Sequence, residues 1–343
     1  MSRSFLLQTL IGFLVAILVV VGLAYLLFGR GGEAKKIRWG VEFDPYYAQY
    51  LGLDWKKTYL SLLDEVGVDH LRLVAFWDAV EPEDDQFDFT RLDFQVQEAE
   101  KRGVKLIIAI GRRLPRWPEC HVPSWAKEFS EEKQQEEVLE LLPQIVNRYK
   151  NSPTLEFWQV ENEPYVWFFG ECPGPDEQFI RKEMELVSTL DPAHPILLTE
   201  SGELSTWFKI SRLADYVGTS MYEVIYDDGT SFIPIPGYRR YPFPQEYYRI
   251  KANFYKRLGW VKEIFVSELQ AEPWGPKPLP QMTLEEPYHS FNPELFRHNL
   301  KFARSTGFSR FYLWGAEWWF YAREKLGVPD FVEEAKALWK SAQ

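Results

Sequence analysis

Histidine and cysteine are scarce in this 343-residue chain, which has five of the first and two of the second. The histidines show no H-x-H or H-E-x-x-H spacing, so no metal site is expected. The chain also lacks a G-x-S-x-G elbow, a P-loop and a G-x-G-x-x-G run after a strand. Serine hydrolases of that type, kinases and dinucleotide enzymes are therefore excluded, and no cofactor is expected.

Positive charge is also in deficit. Lysine and arginine number 39 against 50 aspartates and glutamates, which gives a formal net charge of −11 without any basic stripe. Nucleic acid is therefore excluded as a partner. No repeat with a period of 20–50 residues is visible, which excludes a solenoid.

Only one long hydrophobic run is present, over residues 10–28. About 19 helical residues span roughly the hydrocarbon core of a bilayer, so we predict a transmembrane anchor at residues 6–28. A tail of residues 1–5 precedes this anchor and a linker of residues 29–36 follows it. A cleaved signal peptide is the alternative, but no A-x-A cleavage pattern precedes Arg30.

Short apolar runs alternate with longer helical patterns from Ile37 to the end of the chain. Eight such units predict an α/β fold, a (β/α)8 TIM barrel over residues 37–343 preceded by one N-terminal transmembrane helix. The predicted strands are residues 37–43, 70–75, 105–110, 155–160, 195–199, 216–219, 263–267 and 308–314. The predicted helices lie near residues 54–66, 92–102, 131–149, 176–190, 206–213, 244–258 and 332–339, with a further one ending near residue 305.

Two glutamates follow predicted strands at positions where barrel enzymes place their chemistry. Glu163 stands in the run Asn162-Glu163-Pro164 after the fourth strand, and Glu268 follows Ser267 after the seventh. A proton-donating carboxyl and a second carboxylate at one pocket are what cleavage of a glycosidic bond requires. Two ordinary surface glutamates are the alternative interpretation.

These residues resemble a known clan, the retaining glycoside hydrolases with (β/α)8 barrels, which includes cellulases, β-mannanases and β-galactosidases. The resemblance covers most of residues 37–340. It rests on the two glutamate motifs, on Arg72 in strand two, on Trp77 in the stretch that follows it, and on Trp314 at the end of strand eight. It implies that Glu163 is the general acid/base and Glu268 the nucleophile, with a carbohydrate as substrate.

The resemblance also implies roles for polar neighbours of the two glutamates. Asn162 would bind the 2-hydroxyl of the sugar, and Tyr222 would donate a hydrogen bond to Glu268. Arg72 is the only charge in its apolar run and would be unfavourable inside a barrel unless paired, so Glu268 is its expected partner. The alternatives are a turn-forming asparagine, a tyrosine that only packs, and an outward-facing salt bridge.

Aromatic residues make up 17% of the chain, and several follow predicted strands. Trp314 would form a floor under the reacting sugar, because an indole stacks on the apolar face of a sugar ring. Trp77 and Trp274 would extend this platform. Packing in a large core is the alternative for each of them.

The chain departs from the pattern of the clan at two places. Ser220 stands where the largest family often has a histidine, two residues before the tyrosine that follows strand six. Gly111-Arg112-Arg113 stands where another histidine is common. Both departures put the family and the substrate in question more than the mechanism.

The sequence thus predicts a membrane-anchored retaining β-glycosidase. A non-catalytic glycan-binding barrel and a transglycosylase acting on envelope glycans are the alternatives. The basic residues after the anchor favour a cytoplasmic barrel, whereas an action on polymers favours an extracytoplasmic one, which we predict. Cys120 and Cys172 lie in neighbouring loops, where they form either a disulfide typical of an oxidising compartment or two free thiols.

Overall fold

Eight parallel strands close into a barrel in the computed structural model, which describes residues 5, 10, 12, 13, 19, 22, 23, 25–29, 31–229, 235–283 and 285–342. The barrel strands are β1 (Arg38–Glu42), β2 (His70–Val74), β3 (Lys105–Ile110), β4 (Leu155–Val160), β5 (Ile196–Glu200), β6 (Tyr216–Met221), β9 (Glu263–Gln270) and β10 (Arg310–Trp314). Around the barrel their order is β1-β10-β9-β6-β5-β4-β3-β2. After β6, strands β7 (Val224–Asp227) and β8 (Gly237–Arg240) form a separate antiparallel hairpin. The predicted TIM barrel is confirmed.

Helices cover the outside of this barrel. They are α1 (Pro45–Tyr50), α2 (Trp55–Ser61), α3 (Trp77–Val80), α4 (Thr90–Arg102), α5 (Glu131–Tyr149), α6 (Glu177–Leu190), α7 (Gln245–Arg257), α8 (Pro293–Thr306), α9 (Ala316–Lys325) and α10 (Asp330–Ala342). Amphipathic periodicity locates the long ones; α5 has the predicted bounds, and Ser130 caps it by accepting from the amide of Lys133.

One predicted helix is wrong, and three helices were not predicted: the short α1 and α3, and α9. The helix predicted over residues 206–213 is only a single 3-10 turn, Ile210–Arg212, because Trp207 adopts a left-handed conformation with φ of 63°. Its indole then turns inward and donates to the carbonyl of Ser201. Helix α9 was missed because Ala316–Ala322 are buried on every side, which removes the amphipathic period that reveals a helix.

The barrel interior has an apolar lower layer and a charged upper layer. Ile107, Phe157, Leu197, Phe265 and Tyr312 form a separate buried cluster inside the strands. Nearer the carboxyl ends of the strands, the inward positions of β1, β2 and β4 carry polar side chains instead. This arrangement places ionisable groups at the carboxyl ends of the strands, above a sealed apolar floor.

The N-terminal segment meets the barrel at α7. Tyr25–Gly29 form one π-helical turn, and the carbonyl of Phe28 accepts a hydrogen bond from Asn253 at 2.7 Å. Most of the anchor predicted at residues 6–28 lies outside the described residues. Among the residues that are described, no helix has the length and apolar character needed to cross a membrane.

Candidate active site

A bulge in β9 brings Glu268 into the mouth of the barrel. Val266 pairs with Thr219 of β6, but the next pair is Glu268 with Ser220, so Ser267 is an extra residue in the ladder. Strict alternation would send Phe265 and Ser267 inward and Glu268 outward. The bulge shifts the alternation and re-aims Glu268.

A different distortion presents Asn162 and Glu163 together after β4. Glu161 and Glu163 have positive φ angles of 55° and 43°, which few non-glycine residues adopt. Thr199 of β5 fixes the turn, since its hydroxyl accepts from the amide of Glu163 and donates to Oδ1 of Asn162, both at 3.0 Å. Strained backbone of this kind is concentrated at functional sites.

Arg72 is the hub of the upper layer and is fully buried. Its guanidinium donates to Oε1 of Glu268 at 2.8 Å, to Oδ1 of Asn162 at 2.8 Å, and to Gln159 at 2.7 Å. The nitrogen that reaches Glu268 also donates to Glu42. The arginine therefore lies inside the barrel against Glu268, not in an outward salt bridge.

The second oxygen of Glu268 has its own donor. The Tyr222 hydroxyl lies 3.0 Å from Oε2, so each oxygen of this carboxylate accepts a hydrogen bond. Burial, followed by the charge of Glu268, raises the pKa of Tyr222 far above its usual value. The hydroxyl therefore keeps its proton and acts as a donor at every physiological pH.

The environment of Glu163 favours its protonated form. Burial raises the pKa of Glu163 well above its usual value, and the nearby charges of Glu268 and Glu200 raise it further. Nearby like charges and burial both disfavour an ionised carboxyl. Glu163, with its raised pKa, is thus coupled to a second carboxylate that accepts from an arginine and a tyrosine, which is the pairing that acid catalysis needs.

Trp314 and Trp274 stand in the segments at the carboxyl ends of β10 and β9. The indole of Trp314, at the end of β10, donates to Glu272 at 2.8 Å, and only 6% of the residue is exposed. Trp274 is half-buried, with its ring 5.3 Å from that of Tyr222. Both lie at the mouth of the barrel, while stacking on a sugar remains a prediction for each.

The prediction that Trp77 extends the sugar-binding platform is wrong. The structure buries this residue completely in α3, where its indole donates to Glu81 at 2.8 Å and its ring meets the edge of Trp125. No ring surface is left for a sugar. The hydrophobic pattern did not distinguish a tryptophan under a loop from one beside a cleft.

The long loop after β3 carries a cysteine in one of its two predicted states, a disulfide, and a glutamate that the sequence did not reveal. Cys120 forms a disulfide with Cys172 of the loop after β4. Next to it, Glu119 accepts a hydrogen bond from the Asn162 amide at 3.4 Å, and burial raises the pKa of Glu119 to about 8. Glu42 and Gln159 were also missed, although a polar residue at an inward position of an apolar strand is a usable signal.

Known proteins share parts of this chain. A family model described as beta-galactosidase, glycoside hydrolase family 42, matches residues 46–128. Mannan endo-1,4-beta-mannosidase A from Podospora anserina is 29% identical over 156 residues, which make up 42% of this chain and 36% of that protein. Beta-galactosidase Bga from Halorubrum lacusprofundi is 24% identical over 128 residues, or 32% of this chain and 18% of that protein. The matches therefore span well under half of these relatives.

Solved structures share the barrel. Xylanase 10B from Thermotoga petrophila, in complex with xylobiose, has a TM-score of 0.54 at 14% identity and covers 82% of both chains. The beta-galactosidase from the psychrophilic Marinomonas ef1 has a TM-score of 0.54 at 13% identity, with 88% of this chain and 59% of that one covered. Together with the closed parallel barrel, these likenesses show that the chain shares its (β/α)8 fold with these enzymes.

Proposed function

We propose that the protein is a membrane-anchored retaining β-glycosidase, with Glu163 as acid/base and Glu268 as nucleophile. One observation carries this proposal: Glu163 at the end of β4 and Glu268 at the end of β9 lie at the mouth of one barrel, close enough for the charge of Glu268 to raise the pKa of Glu163. A carboxyl with a raised pKa suits the acid role, and a carboxylate that accepts from Arg72 and Tyr222 suits the nucleophile.

The first step breaks the glycosidic bond. Glu163 gives its proton to the leaving oxygen while an oxygen of Glu268 bonds to the anomeric carbon, which yields a glycosyl ester and a free alcohol. The negative charge of Glu268 then disappears, so the pKa of Glu163 falls and the ionised Glu163 removes a proton from water. That water releases the sugar with its original configuration and restores both glutamates.

Asn162 and Arg72 assist this reaction by binding the sugar and by orienting Glu268. The Asn162 amide lies beside the nucleophile and would contact the 2-hydroxyl, a hydrogen bond that strengthens in the transition state. Arg72 neutralises part of the charge on Glu268 and fixes its orientation. The substrate is proposed to be β-linked, because the names of the relatives describe β-mannosidase and β-galactosidase activities.

A mechanism-based label tests the proposal directly. We expect activated 2-fluoro β-glycosides to form a stable ester on Glu268, seen as a mass increase on the peptide that contains it. The soluble part, residues 33–343, carries the intact barrel and suits this experiment. Binding of glycans without labelling or turnover would contradict the hydrolase and support a glycan-binding barrel instead.

Leaving-group dependence separates the two glutamates. In Glu163→Ala, hydrolysis of unactivated glycosides should fall far more than hydrolysis of activated aryl glycosides, because only poor leaving groups need a proton. Glu268→Ala should lose turnover on both while keeping its thermal unfolding transition. Equal losses on both substrates in Glu163→Ala would contradict its role as the acid.

Transfer of the cleaved sugar to an added sugar acceptor, in place of water, would identify a transglycosylase.

The location of the barrel forms part of the proposal. The Cys120–Cys172 disulfide supports an oxidising, extracytoplasmic compartment. Phe28 packs on the carboxyl-terminal half of α7, at the rim opposite the catalytic mouth, so an anchor before it would leave the cleft facing away from the bilayer. Protease digestion of intact and lysed cells tests this: cleavage of the barrel only after lysis would contradict an outside location.

A further inference from the structure

The two glutamates divide the mouth of the barrel into unequal arcs. Going around the barrel, β5 and β6 lie between Glu163 and Glu268 on one side, which we term the short arc. The other side, the long arc, holds the ends of β3, β2, β1 and β10. A substrate that passes between the two carboxyls must extend over both arcs.

On the premise of the proposed function, the partners of Asn162 and Glu163 indicate in which direction the substrate lies. Asn162, which would bind the 2-hydroxyl of the attacked sugar, accepts from Thr199 on the short arc, but it also accepts from Arg72 and donates to Glu119 on the long arc. Glu163, which would protonate the leaving oxygen, is fixed by Thr199 and influenced by Glu200, both on β5. The contacts of Asn162 with Arg72 and Glu119 thus put the attacked sugar over the long arc, and the leaving group over the short arc.

The segment of residues 112–121, termed here the Arg116 loop, crosses the long arc. It leaves the end of β3, yet Arg116 reaches Asp44 after β1 at 3.5 Å, Glu272 after β9 at 3.0 Å and Glu317 after β10 at 3.1 Å. Its guanidinium also lies 4.6 Å from the centre of the Trp314 ring. Three ion pairs thus tie the tip of this loop to the far side of the mouth.

The base of the Arg116 loop is held as firmly as its tip. Arg113 pairs with Cys120 in an antiparallel bridge, and the disulfide joins Cys120 to the neighbouring loop. The Arg113 side chain also donates to the carbonyl oxygens of Val166 and Phe169. Positive φ angles of 75° at Arg116 and 71° at Glu119 shape the turn.

The side chains that meet Arg116 at the strand ends of the long arc are buried. Asp44, Glu272 and Trp314 are 4%, 5% and 6% exposed, and Glu317 is fully buried. The tip of the Arg116 loop therefore fills this side of the mouth down to the strand ends.

We propose that the Arg116 loop closes the glycone end of the cleft, so that the enzyme removes single sugars from the non-reducing end of its substrate. A second sugar on the glycone side would have to occupy the volume of Arg116 and its three carboxylate partners. Arg116 is then the residue that determines exo over endo action.

Paired chromogenic substrates test this inference. The probes are 4-nitrophenyl β-glycosides of galactose, glucose, mannose and xylose, together with the 4-nitrophenyl glycosides of the matching β-1,4-linked disaccharides. We expect immediate nitrophenol release from a monosaccharide probe. The matching disaccharide probe should be inert, or should release nitrophenol only after a lag in which a single sugar appears first.

The outcomes separate this inference from the proposed function. Release of an intact disaccharide with nitrophenol, without a lag, would overturn exo action while leaving the glycosidase in place. Cleavage of no probe, together with no 2-fluoro label on Glu268, would overturn both.

A loop variant identifies the barrier. In Arg116→Gly the positive φ is retained without strain, so we expect a functional cleft that gains intact-disaccharide release at least tenfold relative to monosaccharide release. Arg102→Ala is the matched control, since Arg102 also pairs with two carboxylates, Asp64 and Glu98, but at the opposite rim. An unchanged product ratio in a folded Arg116→Gly would contradict the role of Arg116. Arg116→Asn, which also tolerates a positive φ and removes the guanidinium, is tested in the same way if the glycine variant does not fold.

Discussion

The Arg72 guanidinium lies 2.8 Å from Oε1 of Glu268, inside a barrel layer where Arg72 is fully buried and Glu268 is 6% exposed. A buried charge pair adds little net stability, but the loss of one partner leaves the other unpaired at a large energetic penalty. The same guanidinium holds Asn162. Glu268 and Asn162, the proposed nucleophile and 2-hydroxyl ligand, are therefore both oriented in part by this one side chain.

Arg72→Lys should lower kcat/KM about 100-fold or more on aryl glycosides, because an ammonium cannot reproduce the planar fork that contacts Glu268, Asn162 and Gln159 together. Steady-state kinetics would measure this on an aryl glycoside of the sugar whose 2-fluoro analogue labels Glu268. Arg148→Lys is the control, since Arg148 makes its two contacts with Asp93 on the surface. Full activity in Arg72→Lys would show that the fork is not needed.

Tyr222→Phe should lower kcat about 10- to 100-fold, as expected from losing a hydrogen bond to a charged group worth ~1.5–3 kcal/mol. The ring contact with Trp274 is preserved, so the unfolding temperature should change little. Tyr226→Phe in the hairpin provides the control. A drop in stability with unchanged kcat would assign Tyr222 to packing.

Glu200→Gln should shift the alkaline limb of kcat/KM to lower pH. The first step needs protonated Glu163, so activity is lost as pH rises through the raised pKa of that residue. The charge of Glu200 contributes to this rise, and burial raises the pKa of Glu200 itself to about 7, so the shift should appear above neutral pH. Glu65→Gln on the surface should leave the pH profile unchanged. An alkaline limb at the same pH in Glu200→Gln would contradict the electrostatic coupling between Glu200 and Glu163.

Glu183→Gln should stabilise the protein at pH 8 by about 1 kcal/mol, or roughly 2–4 °C in Tm. Burial, followed by the charge of Glu161, raises the pKa of Glu183. A carboxyl with a raised pKa contributes stability below its unfolded pKa and loses it as pH rises through the folded pKa. The gain in Glu183→Gln should therefore disappear near pH 4. Glu185→Gln, exposed on the same helix, is the control, and a pH-independent difference would contradict the argument.

Local patterns explain why much of the fold was predictable. Apolar runs of period two or of no period, such as residues 105–110 and 155–160, coincide with strands β3 and β4 because parallel strands are covered on both sides. Helix α5 was predictable from its N-cap, Ser130, and from the apolar stripe along one face. Trp207 and helix α9, which is buried on every side over Ala316–Ala322, escaped prediction, since a left-handed residue and a helix without an exposed face leave no periodic signal.

The candidate site divides in the same way. Glu163 and Glu268 are recognisable from the residues that follow two apolar strands, and the need to neutralise Arg72 inside a barrel follows from its apolar neighbours. The amino-acid sequence by itself thus determined the barrel, the two carboxyls and the scarcity of other catalytic groups. Only the tertiary structure decided that a bulge at Ser267 turns Glu268 inward, that Trp77 is buried, and that Arg116 crosses the mouth. Those features depend on contacts between residues distant in the chain, which no local pattern encodes.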